Sequence, residues 1–357
     1  MKTTTLRTLT LIAAATVAPS VSHALNYDGS VLRHDETGSV LGYGSSPYFL
    51  DSNVDDTFPG RSYIMDGVLV ADGITLNLGY WNGSSDSGIL EISSGMAPAA
   101  LVLQNGSVGF FEGIHVYGGV DTQFVLDNST AYVNQTLQNL YGGIVVRNGG
   151  VLHIRNNNGW MAGTTNVQIG QDPDLWNGFG TVTLQSGAML QMGDYAVMDF
   201  QFSSLVIEAG SHIVNAATPQ NVGWLTLTEY ATLTVGLDGS MANAGVGVAP
   251  IQVRTDAYSA KLSVDANGIW FDPGDEFTLV HSLIGVNCWF EGLIDPSVVT
   301  SDTGQIFAME ARQVSAGYDD TIVLVATANA IPEPSTYALL GGVCAVALAV
   351  LRRRRRG

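Results

Sequence analysis

The chain has 357 residues, 42 of them glycine, with 13% charged residues and a formal net charge of -18. That length allows one large or two moderate domains, and a glycine-rich, charge-poor chain without long helical patterns indicates a turn-rich, all-β protein. Between Leu25 and Ile331 there are 7 basic and 31 acidic residues, so this part carries 7 - 31 = -24, which excludes nucleic acid and anionic lipid as partners of the body.

The chain opens on an export signal over residues 1–24. "MKTTTLR" is a basic start, and "TLTLIAAATVAPSV" is apolar but too short to span a bilayer. "SHA" places small residues, Ser22 and Ala24, at the third and first positions before a cleavage point, so cleavage is expected between Ala24 and Leu25.

Residues 25–60 are rich in Gly, Ser, Asp and Tyr and are expected to form an irregular N-terminal cap. Within them "DSNVDD" offers oxygen ligands at Asp51, Asn53 and Asp55. The stretch fails the calcium-loop pattern, because Asp56 stands where glycine is needed and Ser62 where glutamate is needed. It reads first as a turn, since Asp and Asn favour turns, and second as a Ca²⁺ site.

Residues 61–250 are repetitive. "LEISSG", "LVLQNG", "FVLDNS", "IVVRNG", "VTLQSG", "LVIEAG" and "LTLTEY" each place two large apolar residues around one free position, then polar residues and, in most cases, glycine. The apolar pairs are Leu90/Ile92, Leu101/Leu103, Phe124/Leu126, Ile144/Val146, Val182/Leu184, Leu205/Ile207 and Leu225/Leu227. Alternation with period two followed by a turn is a strand with one buried face. Second alternations follow at Leu152/Ile154, Leu190/Met192 and Leu233/Val235.

The marks are separated by 11, 23, 20, 38, 23 and 20 residues. The 11 reads as two corners of one coil, and the 38 as one coil with an insertion or as two short coils. The other spacings cluster near about 21 residues, which suits one coil of a parallel β-helix. An antiparallel sandwich is the alternative, because its strands also recur with turns. Over about residues 85 to 240 the pattern resembles the V-x-L-x-x-G-A-x-L coils of autotransporter-like passenger domains.

The same stretch holds the few candidates for chemistry. "DPDLWNG" is an oxygen-rich turn with Asp172 and Asp174, again a turn first and a Ca²⁺ site second. Arg147, His153 and Arg155 lie close in sequence, but His153 alternates with Leu152 and Ile154 and so faces outward as part of a solvated edge. No carboxylates recur in the register of a glycosidase pair, although neighbouring coils can bring distant acids together. Trp160 and Trp176 fall in the expected insertion, where a binding loop can project.

Residues 251–328 lose the repeat. "DEFTLVHSL", "QIFAMEA" and "DTIVLVAT" read as strands of a C-terminal β module that covers the open end of the solenoid. Cys288 is the one cysteine of the body and Cys344 lies in the terminal apolar run, so neither a disulfide framework nor a cysteine-based zinc site is available to the body.

Residues 329–357 are a different kind of segment. Pro332, Glu333 and Pro334 precede an uncharged run over 337–351 and then Arg352, Arg353, Arg354, Arg355 and Arg356. As a helix the run would be about 22 Å long, short of a bilayer core of about 30 Å, and arginines that reach the interface partly compensate. Basic residues stay on the cytoplasmic side, so the acidic body lies outside. The prolines stop the helix and hold the triplet extended above it. A plain membrane anchor has the same physical features.

In its order of parts the tail resembles the PEP-CTERM sorting signal. That resemblance implies recognition near Pro332-Glu333-Pro334 by exosortase, a membrane-embedded cysteine transpeptidase of Gram-negative bacteria that make extracellular polysaccharide. It implies a transient inner-membrane tether on an exported protein destined for the cell surface or extracellular matrix. The expectation for the body is a non-enzymatic, structural or adhesive parallel β-helix without an obligatory cofactor, in contact with extracellular polysaccharide and possessing an acidic surface suited to Ca²⁺. A polysaccharide lyase or hydrolase, or a carbohydrate-binding protein, on the same fold is the alternative.

Overall fold

The computed structural model describes residues 48–328, apart from 51, 56–60, 66, 79–88, 94–98, 120, 140, 155–165, 170–179, 194–195, 216–223, 229, 240–247, 250–251, 256–259, 283–297 and 316–318. All regular structure among the described residues is β-strand. The strands before Val298 that belong to the repeat pair in parallel and build three faces.

The first face stacks nine strands in order, from Tyr48–Leu50 through Ala100–Gln104 and Gly143–Arg147 to Lys261–Asp265. The second runs from Val54–Asp55 through Val151–Ile154 and Met189–Met192 to Val248–Ala249. The third runs from Arg61–Met65 through Asn166–Ile169 and Val197–Gln201 to Gln252–Thr255. Two long strands, Val108–Tyr117 and Thr130–Asn139, contribute their first halves to the second face and their second halves to the third. The register shift between Val133 and Thr136 is the corner between those faces. The chain thus visits the three faces in turn and returns to the first one step along, a β-helix-like order.

The alternation in the sequence explains the interior. All fourteen large residues of the seven marks are buried, as are Leu152/Ile154, Leu190/Met192 and Leu233/Val235. Stacking aligns them: Leu69, Leu101, Phe124, Ile144, Val182, Leu205 and Leu233 form one continuous inner column of the first face. Each fully buried Leu, Ile, Val or Phe contributes about 1.5–3 kcal/mol over exposure.

The marks do not all lie on one face. Leu90/Ile92 and Leu225/Leu227 sit on the third face, the others on the first. The spacing of 11 is therefore a corner, and the final 20 is a step within one coil rather than a full coil. True coils vary: Phe124 pairs with Ile144, 20 residues on, and Ile144 with Val182, 38 residues on. The 38 is a single enlarged coil, because Val151–Ile154 and Asn166–Ile169 lie between those partners on the other two faces.

Small residues occupy the corners. At entry to the first face stand Gly67, Ala99, Thr122, Gly142, Gly180, Ser203, Ala231 and Ala260. Their carbonyls accept the N–H of the next coil, as in Gly143 to Thr122 at 2.8 Å and Thr232 to Ser203 at 2.9 Å, so the parallel ladder runs through the corner. At the exit from the first face, positive φ is met by Asn105–Gly106, Asn148–Gly149 and Asn267–Gly268, residues that tolerate the left-handed region.

Parallel stacking continues past residue 250 to Lys261–Asp265. Beyond it, Glu276–Ser282, Asp319–Ala326, Ile306–Ser315 and Val298–Thr300 form an antiparallel four-stranded sheet in that spatial order. Phe271, Phe277 and Phe307 pack edge to face beneath it, with centroids 4.8 to 6.1 Å apart. This sheet meets the last coil through a parallel bridge between Val264 and Ser301.

Candidate functional site

The acidic residues of the body are arranged by stacking. At the end of each first-face strand one outward position forms a column: Asp72, Gln104, Asp127, Arg147, Gln185, Glu208, Gly236 and Asp265. No acid has an acid on the adjacent coil, which avoids like charges one strand spacing, about 4.8 Å, apart. Amides and a guanidinium bridge the steps instead. Gln104 and Asn105 donate to the two oxygens of Asp72 at 3.1 and 2.7 Å. Arg147 and Asn148 do the same to Asp127 at 2.8 and 2.7 Å, and Gln185 donates to Glu208 at 2.7 Å.

The proposed oxygen-ligand turn is absorbed in the same way. Asn53 accepts the backbone N–H of Thr75 at 2.8 Å, and Asp55 accepts the Asn77 amide at 2.8 Å, both from the next coil. Asp51, Asp172 and Asp174 lie outside the described residues. Among the described residues, no group of three or more His, Cys, Asp and Glu is placed to hold a metal ion.

The basic trio is not one site. Arg147 is engaged by Asp127, and Arg155 lies outside the described residues. His153 faces outward on the second face and stacks on Tyr132, which stacks in turn on Phe110, with centroids 4.4 and 5.1 Å apart. These three are register partners on successive coils, so the ring ladder follows from the coil order.

A cleft of about 260 Å³ opens where the acidic column reaches Gly236. A Cβ there would come within 2.7 Å of Ala209 N, so the glycine sits in close contact with the turn of the preceding coil. Glu208 and Asp265 line the cleft on either side, with Thr234, Asn267 and Ser186.

A second feature is at the entry to the first face, one residue before the small corner residues. Phe202 and Tyr230 hold φ of 49° and 66° there. Left-handed backbone is uncommon for bulky side chains and costs about 1–3 kcal/mol at each such position. The two rings lie on adjacent coils with centroids 5.8 Å apart and planes tilted by 33°. Tyr230 is 58% exposed. The sequence carried a signal for this feature: an aromatic directly before a small residue that opens a first-face strand, in "YGGIVV", "FGTVTL", "FSSLVI" and "YATLTV". Position 179, in the second of these, lies outside the described residues.

Ala24, Leu25, Pro332, Glu333, Pro334 and Arg352 to Arg356 lie outside the described residues, as does the apolar run 337–351. Among the described residues no helix is long and apolar enough to cross a membrane.

Residues 330–356 match the PEP-CTERM protein-sorting motif. No curated protein and no solved structure matches the chain. The motif supports an exported protein with a C-terminal sorting tail that exosortase processes.

Proposed function

We propose that the body is a β-helical solenoid, similar to autotransporter passenger coils, that serves as a non-enzymatic structural or adhesive component of an extracellular polysaccharide matrix. The sorting motif at residues 330–356, behind an acidic body of parallel coils, is the observation that carries this reading. In it the tail is a transient inner-membrane tether. The run 337–351 and Arg352 to Arg356 fix orientation, Pro332-Glu333-Pro334 is recognised by exosortase, and the released body reaches the surface or matrix. The -24 charge between Leu25 and Ile331 favours Ca²⁺-bridged association with acidic polysaccharide, with Asp51, Asp172 and Asp174 as contributors. Calcium titration of the chain with polygalacturonate tests that contact, and absence of calcium-dependent binding removes it. Deleting exosortase in the native host tests the sorting step, and unchanged processing and location remove it.

The cleft at Gly236 supports a second reading, a polysaccharide-cleaving enzyme. Glu208 and Asp265 belong to strands two coils apart across the glycine, about 9.6 Å between backbones, and their side chains would have to lean toward each other to pair. Inverting glycosidases separate their carboxylates by about 6.5–9.5 Å. Loss of glycan hydrolysis in Glu208→Gln and Asp265→Asn, with the fold intact, is the expected result. No hydrolysis by the unaltered chain against a glycan panel dismisses this reading.

A further inference from the structure

We propose that Phe202 and Tyr230 form a binding ridge for neutral polysaccharide along the corner between the third and first faces. This rests on the matrix reading for where the protein meets polysaccharide, and it assigns a ligand class and a place on the molecule.

The backbone makes the first argument. At the exit corner of the first face, positive φ is met mainly by Asn, Ser and Gly. At the entry corner Phe202 and Tyr230 hold the same left-handed conformation with bulky rings. Packing in the core does not account for Tyr230, whose side chain is 58% exposed. The adjoining Ser203 and Ala231 are buried and fix the corner, and Thr232 N–H to Ser203 O at 2.9 Å locks the two coils in step. Tyr230 is therefore displayed on a rigid frame, with the half-buried Phe202 ring beside it on the preceding coil.

Their spacing and surroundings indicate the ligand. The centroids are 5.8 Å apart, one coil, a step comparable to the length of one sugar unit in an extended chain. Tyr141 holds the equivalent sequence position two coils before Phe202 and three before Tyr230. Half-buried Gln201, Ser204 and Thr232 flank the rings with amide and hydroxyl groups. Sugars present apolar C–H faces to aromatic rings and hydroxyls to such neighbours. The ridge is one residue wide, far less than the roughly 800 Å² per partner of a stable protein interface. Without a bridging cation the acidic body repels anionic chains, so contact made by the rings themselves favours a neutral glycan.

The test is affinity electrophoresis of the purified full chain through gels containing hydroxyethylcellulose, galactomannan, dextran or polygalacturonate, with and without EDTA. Retardation by at least one neutral polymer, unaffected by EDTA, is expected. In Phe202→Asn/Tyr230→Asn it weakens about tenfold, while thermal stability stays equal or rises, because Asn accepts left-handed backbone. Tyr230→Asn alone, at an exposed side chain, gives the same comparison if the double variant folds poorly, and Tyr230→Phe retains binding. No retardation by any neutral polymer, or undiminished retardation of the Asn variants, overturns the ridge. Retardation by polygalacturonate alone, abolished by EDTA, also overturns it while sustaining the calcium-bridged contact.

Discussion

The Asp302 carboxylate accepts the backbone N–H of Ala266 at 2.7 Å, tying the antiparallel sheet to the turn that ends the last coil. The Asp302 N–H also donates to Val264 O at 3.2 Å, in continuation of the parallel ladder. Together with the Val264–Ser301 bridge, these bonds cover part of the edge that the last first-face strand would otherwise expose. Asp302→Ala is expected to destabilise the protein by about 1.5–3 kcal/mol, the worth of hydrogen bonds to a charged group. Urea unfolding measures the loss, and faster amide exchange across Lys261–Asp265 shows where it falls.

Gly142 shows how tightly the corner is built. A Cβ there would lie 2.5 Å from both Thr122 O and Val116 Cγ1. Gly142→Ala should cost about 1–3 kcal/mol by overpacking. Gly119, at which a Cβ meets nothing within 4 Å, is the control, and Gly119→Ala should leave the unfolding midpoint almost unchanged. Equal midpoints for the two variants would show that the corner yields.

Asn139 clasps two coils from a fully buried position. Its Nδ2 donates to Thr181 O at 3.0 Å, and its Oδ1 accepts the Gly142 N–H at 2.9 Å. Asn139→Ala leaves both backbone groups without these partners, at a cost of about 2–4 kcal/mol. The expected signature in chemical denaturation is a lower midpoint with an unchanged slope.

Acid should weaken the terminal sheet first. Arg312 donates to both oxygens of Glu276 at 2.7 and 2.9 Å and to Glu310 at 2.7 Å. Its hydrogen bonds hold the Glu276 carboxyl below the ordinary range against a smaller opposing effect of desolvation, and the two glutamates push the guanidinium pKa up. An acid depressed in the folded state stabilises the fold above its unfolded pKa, about 4.3 for glutamate. That contribution is lost as pH falls through the lower folded value. Thermal unfolding followed from neutral pH into this window should therefore fall more steeply for the unaltered chain than for Glu276→Gln.

Much of the body was legible because period-two alternation reports burial directly. The pairs from Leu90/Ile92 to Leu225/Leu227 are all buried. Which face each pair occupies was not legible, since first-face and third-face strands carry the same local pattern. That is why the step from Leu205 to Leu225 resembles a full coil, although Leu205 pairs with Leu233. Contacts between coils depend on every intervening length. Phe202 meets Tyr230, and Asn139 meets Thr181, only once corner positions and insertions are known. The strand Val298–Thr300 was missed because it is short and carries no alternation of its own. In the tail the reverse holds: Pro332, Glu333, Pro334 and the five arginines form a local, ordered signal that needs no fold to be read.

The central claim is that the tail directs sorting and processing through its Pro-Glu-Pro triplet. The most direct measurement compares the unaltered chain with Pro332→Ala/Glu333→Ala/Pro334→Ala in the native host, by cell fractionation and by intact mass. The unaltered chain should be shortened at its C-terminal end and found outside the inner membrane, while the altered chain stays full length after signal removal and in the membrane fraction. Identical masses and identical locations for the two chains would contradict the claim.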